Sequence, residues 1–123
     1  TIAKRIDDLK EIHDPNVVKV VVDKNNFALY FSRALIPHRA ISSEIKEPVY
    51  YKHIGLYGYT KDFLFIYKNL PVSNLEKTER LEQLRVLEEG FKIKVVETKF
   101  DSMGVDTPED LKKVEAYLRR QNL

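Results

Sequence analysis

The sequence predicts a mixed α/β fold, and three observations carry that prediction. A β-branched run, Val17-Val18-Lys19-Val20-Val21-Val22, is followed by turn chemistry and a second apolar run. Two helix starts are strongly marked, at Ser73 and at Thr107. Strand-like and helix-like segments interleave along the chain instead of segregating. The residues alone leave α/β and α+β both open.

Composition bounds the problem. Of 123 residues, 43% are apolar and 33% charged, which suits one folded domain. Thirteen aromatics, from 7 Tyr and 6 Phe, argue against disorder. No run approaches the ~20 apolar residues that span a bilayer, and no signal peptide opens the chain, so no membrane partner is expected. The formal charge of +2 is too balanced to draw nucleic acid at long range, and basic residues alternate with acidic ones. Cysteine is absent, which excludes disulfides and thiolate metal sites and fits a reducing compartment. The chain opens on Thr1-Ile2-Ala3, which reads as a strand already under way and suggests a fragment or a processed chain.

The elements follow in order. Residues 3–13 space Ile6, Leu9 and Ile12 as a helix would, and Asp14-Pro15 ends it. Val17–Val22 is a strand, Asp23-Lys24-Asn25-Asn26 a turn, and Phe27–Phe31 the return strand, giving a β-hairpin. Residues 32–48 read as a loop. Residues 49–59 alternate as a long strand, with Val49, Tyr51, His53, Tyr57 and Tyr59 on one face. Thr60 caps a helix over 61–69 whose stripe is Phe63, Leu64, Ile66 and Tyr67. Ser73-Asn74-Leu75-Glu76 is a capping box opening a helix that runs to about Glu89, with Gly90 as its stop. Phe91–Glu97 alternates as a strand. Thr107-Pro108-Glu109-Asp110 starts the last helix, whose buried face is expected at Leu111, Val114, Tyr117 and Leu118.

No motif completes an active site. The four glycines are scattered, so no phosphate-cradling loop exists, and the three histidines lack metal-ligand spacing. Three constellations remain. His53 and Tyr57 share a strand face and suit a hydroxylated ligand, though on pattern alone an aromatic face packed on a helix is the favoured reading. Glu82-Gln83 reach one helix edge, or belong to a solvated face with Glu79, Arg80 and Arg85. Asp106 precedes a helix start, where the dipole favours an ionised carboxylate suited to Mg²⁺, or it only supports the cap; Gly104 would allow a tight turn before it. Arg33, after the hairpin, carries a fork that suits a carboxylate or phosphate.

Taken in register, five segments resemble one family. They are Asn16–Asp23, Ala28–Ala34 with Ile36-Pro37, Lys52–Tyr59, Leu81–Leu87, and Gly104–Leu111. Together they are similar to the 3-deoxy-manno-octulosonate (Kdo) cytidylyltransferases, or CMP-Kdo synthetases. The resemblance implies a nucleotide-diphospho-sugar transferase-like α/β fold: a mixed sheet flanked by helices, with a β-hairpin excursion used for dimerisation. It implies CTP and Kdo as substrates, Mg²⁺ as cofactor, a homodimer and a cytoplasmic location. Arg33, His53, Tyr57, Glu82 and Gln83 would line the Kdo pocket, and Asp106 would be one of two metal-holding aspartates. The chain matches only the C-terminal half of the family, as a single partial domain over residues 1–123. The phosphate-binding loop, the base-recognising residues and the second aspartate belong to the other half and are not in this sequence. A sialic-acid cytidylyltransferase and a non-catalytic dimerisation or binding fragment are the rival readings.

Overall fold

Five strands form one open sheet, with short helices set between them. The structure is a computed structural model and describes residues 1–121. In chain order the elements are β1 (Ile2–Arg5), α1 (Leu9–His13), β2 (Lys19–Val22), β3 (Ala28–Ser32), β4 (Tyr51–Ile54), α2 (Lys61–Tyr67), α3 (Asn74–Glu79), α4 (Leu84–Glu88), β5 (Val96–Glu97) and α5 (Pro108–Arg120). The sheet order is β3-β2-β4-β1-β5. All neighbours are antiparallel except β1 and β5, so the sheet is mixed as expected.

The hairpin forms as read, with Lys19 opposite Ser32 and Val20 opposite Phe31. It is not an excursion: β2 pairs with β4 on its other side, so the hairpin is one edge of the main sheet. The first helix is shorter than its spacing suggested. Residues 2–5 are strand instead, because β4 and β5 supply hydrogen-bond partners on both sides of them. Tertiary pairing thus overrides a weak local helical pattern. Ile6 and Ile12 are buried with Tyr50 in a small second core, while Leu9 is exposed.

The main core gathers Val20, Phe31, Leu81, Leu84, Val86, Ile93 and Val95 between the sheet and α4. Phe31 and Leu84 are fully buried. The single helix expected from 74 to 89 is two helices. Arg80 takes a left-handed conformation (φ 57°, ψ 43°) and breaks it, and Leu81 and Leu84 beyond the break are both buried. The Ser73–Glu76 capping box is present, and Glu76 also forms a bidentate pair with Arg85 at 2.7 Å from both guanidinium nitrogens, tying α3 to α4. The strand expected over 91–97 narrows to a Phe27–Lys94 bridge and the two residues of β5.

Helix α5 begins as predicted, with Thr107 and Asp110 in a reciprocal capping box and Pro108 in the first turn. Its expected buried face is not buried. Leu111, Tyr117 and Leu118 are each 40% or more exposed, and Val114 is half-buried. The amphipathic pattern is real, but no other element among the described residues covers it.

Candidate functional site

Strand β4 ends at Ile54, yet the chain continues extended enough to keep its alternating residues together. The His53 and Tyr57 rings meet edge-to-face, 5.4 Å between centroids. Phe31 packs on the other side of His53 at 5.0 Å, and Tyr59 stacks on Tyr57 at 5.6 Å. Tyr59, Phe63 and Tyr67 continue the stack onto α2. The aromatic-face reading of the pair is realised, and the His53 and Tyr57 polar groups lie within that wall.

The protonation of His53 follows from its partners. Thr1 Oγ1 has one proton and lies 2.8 Å from the Leu56 carbonyl, so it donates there. It must then accept from His53 Nε2, at 2.9 Å. Nε2 carries the proton, and Nδ1 is left as an acceptor. Burial pushes the imidazole down to about 4. At neutral pH His53 is an uncharged ring offering an acceptor. Burial also raises the Tyr57 phenol, followed by the influence of Tyr59. Its hydroxyl is buried without a hydrogen-bond partner among the described residues. Such a group costs on the order of 1–3 kcal/mol until something pairs with it.

Arg33 is held at the end of β3. Its Nε donates to the Glu79 carbonyl at 3.1 Å and its Nη1 to the Pro15 carbonyl at 3.2 Å. It makes no ion pair among the described residues, so its charge is uncompensated by any side chain bonded to it. Arg33, His53 and Asp106 line one open cavity of about 710 Å³, together with Lys52, Gly55 and Asp101. Lys52 bridges Glu11 and Asp101 at 2.8 and 2.9 Å, and Lys4 also holds Asp101. These pairs fasten the segment carrying Asp106 to the sheet.

The remaining residues lie next door. Tyr57 and Gln83 line a second cavity of about 330 Å³ with Thr1, Thr60 and Lys92. Glu82 is exposed and borders a third, beside Arg80 and Lys77. The six residues therefore do not share a single cavity. Arg33, His53 and Asp106 form one group, Tyr57 and Gln83 another, and the His53–Tyr57 ring contact joins the two. Glu82 and Gln83 diverge because they sit in the irregular turn opening α4, not on a continuous helix edge.

Asp106 is exposed, and no group of three His, Asp or Glu residues suited to a metal occurs among the described residues. Gly104 lies outside the left-handed region, so the turn before α5 does not need a glycine; Gly90, after α4, does (φ 82°).

Two residues central to this arrangement carry little signal in the sequence pattern. Lys19 is fully buried, and its ammonium donates to the carbonyls of Asp14, Val17 and Arg33 at 2.9, 2.6 and 2.7 Å. A lone charge inside a β-branched run is the trace it leaves. Glu79 leaves none, since it sits among other charges.

Comparison with known proteins gives a consistent picture. Residues 1–93 match the family described as Cytidylyltransferase. A 3-deoxy-manno-octulosonate cytidylyltransferase of Solibacter usitatus is 57% identical over 114 residues, covering 93% of this chain and 44% of that protein. The enzyme of the same name from Fusobacterium nucleatum is 47% identical over 123 residues, covering 100% and 49%. A solved structure of CMP:2-keto-3-deoxy-manno-octonic acid synthetase complexed with CTP superposes with a TM-score of 0.88 at 40% identity, over 98% of this chain and 48% of that one. The chain spans about half the length of the relatives it matches.

Proposed function

This chain belongs to the cytidylyltransferase family, and on that premise we propose that it supplies the sugar-binding half of an enzyme that joins CTP and Kdo to give CMP-Kdo and pyrophosphate. The order of its motifs supports reading it as the C-terminal half. The observation that carries the proposal is the shared cavity of Arg33, His53 and Asp106, residues far apart in sequence. An unpaired guanidinium, a neutral acceptor and a carboxylate face one space large enough for an acidic eight-carbon sugar.

In this reading the Arg33 fork meets the sugar carboxylate, the anion that distinguishes Kdo from neutral sugars. His53 Nδ1 accepts from a sugar hydroxyl. Tyr57 gains the partner its hydroxyl lacks, and Gln83 and Glu82 orient the far end of the sugar through directional hydrogen bonds. The anomeric oxygen of Kdo attacks the α-phosphorus of CTP. A P–O bond forms, the bond to the β,γ-diphosphate breaks, and pyrophosphate leaves. Catalysis is chiefly positioning and charge neutralisation. Mg²⁺, when bound, offsets the negative charge of two anionic substrates. Asp106 is the one ligand this chain offers it. The reading places the reaction in the cytoplasm and its product in lipopolysaccharide synthesis. A homodimer is supported by the apolar residues Leu64, Phe65 and Ile66, which α2 leaves exposed.

A coupled pyrophosphate assay on the enzyme containing this chain tests the proposal. CTP-dependent release with Kdo, and little with a sialic acid, is the expected result. Preference for the sialic acid would transfer the assignment to the sibling activity. Asp106→Asn should remove most turnover while leaving the circular-dichroism spectrum unchanged. Near-normal turnover would contradict the metal role.

A further inference from the structure

Glu79 lines none of the three cavities, yet it holds the residue that matters most to one of them. It is the last residue of α3. Its carboxylate accepts from Ser32 Oγ at 2.6 Å and from the Arg33 amide at 3.1 Å. Its main-chain carbonyl accepts from Arg33 Nε at 3.1 Å. One residue therefore fixes both the backbone and the guanidinium of Arg33. Ser32 is almost fully buried, so these bonds lie where water competes poorly. From the other side Lys19 holds the Arg33 carbonyl at 2.7 Å.

The placement of Glu79 has a second consequence. Arg80, with its left-handed backbone, follows at once, then buried Leu81, then Glu82 and Gln83. The residue that anchors Arg33 is thus three and four positions from the turn that presents the other proposed sugar contacts. The carboxylate oxygens are directed to uncharged donors and not to the guanidinium, which leaves the guanidinium free of a direct ion pair.

We propose that Glu79 is a positioning residue for the acidic-sugar site, setting the Arg33 guanidinium toward its cavity and holding it in register with the Glu82-Gln83 turn. This rests on the reading of Arg33 as the group that meets the sugar carboxylate. Glu79 acts through Arg33 and does not touch the sugar.

The test uses Glu79→Ala and Glu79→Gln in the enzyme containing this chain, with steady-state kinetics for each substrate. Glu79→Ala should raise the KM for Kdo about tenfold, the loss expected when a charge-assisted contact is misplaced, and leave the KM for CTP nearly unchanged. Glu79→Gln, which keeps a side-chain acceptor for Ser32 and the Arg33 amide, should recover most of that loss. In an Arg33→Ala background, Glu79→Ala should add nothing further. Equal changes in both KM values, or a lowered Tm with an unaltered KM for Kdo, would overturn the proposal. NMR of the Arg33 Nε–H keeps it decidable if Glu79→Ala fails to fold. In the unsubstituted protein that proton should exchange slowly with water, and exchange at the rate of free arginine would overturn the clamp. An unsubstituted enzyme that ignores Kdo would instead overturn the functional reading, while the Arg33 signal still decides whether the clamp exists.

Discussion

At the scale of single residues, His53 shows how environment sets role. An exposed histidine would be partly charged near neutrality. Buried between Phe31 and Tyr57, it is held neutral instead. The ring should therefore titrate near 4 by NMR, against 6.5 for an ordinary histidine. The sign of its effect on stability follows. As pH falls, the unfolded chain takes up this proton before the folded chain does. Stability linked to His53 is full above about 6.5 and is lost as pH falls toward 4, a change on the order of 3 kcal/mol. Urea unfolding of His53→Gln against the parent protein at pH 7 and pH 4.5 measures it. The parent should lose more stability between those values than the variant. An equal loss would show that His53 is not buried as described.

At the scale of elements, the break between α3 and α4 decides where the site residues face. A continuous helix would have kept Glu82 and Gln83 on one edge and left Glu79 in solvent. The left-handed Arg80 separates the two helices and turns α4 into the core. A non-glycine residue there carries a backbone cost of roughly 1–2 kcal/mol. Arg80→Gly should hold or raise stability by up to ~1 kcal/mol, and Arg80→Val, β-branched at positive φ, should lower it by ~1–2 kcal/mol. Denaturant midpoints check both, and a stabilising valine would mean that the break is not required. This element also marks the limit of what the sequence made legible. The capping boxes at Ser73 and Thr107 are local chemistry and were readable, as was the hairpin with its Asp23–Asn26 turn. The αL residue was not, because arginine carries no signal for that conformation and helical spacing continues across it. The strand at residues 2–5 was legible only as a hint in the opening residues, since pairing with β4 and β5 decides it. For the site, the His53–Tyr57 face could be read from alternation, whereas the division among three cavities depends on how α4 is tilted.

At the scale of the whole molecule, the outstanding feature is an incomplete envelope. Helix α5 has the pattern of a buried helix and no element over it among the described residues, and Phe100, Met103 and Val105 before it are exposed as well. No group of three His, Asp or Glu residues suited to a metal occurs among the described residues. Both facts accord with a chain that spans about half the length of its relatives. This polypeptide on its own should therefore show no measurable CTP-dependent pyrophosphate release. Robust release would mean that the chain contains a complete nucleotide site.

Binding does not require that completeness, and it addresses the central claim without the chemistry. The measurement is an NMR titration of the ¹⁵N-labelled protein with Kdo, followed at the Arg33 Nε–H, the His53 ring and the Gln83 amide. Saturable shifts at these groups, absent with a neutral sugar of similar size, are the predicted result. Shifts confined to other surfaces, or equal shifts with the neutral sugar, would contradict the assignment of these residues to an acidic-sugar pocket.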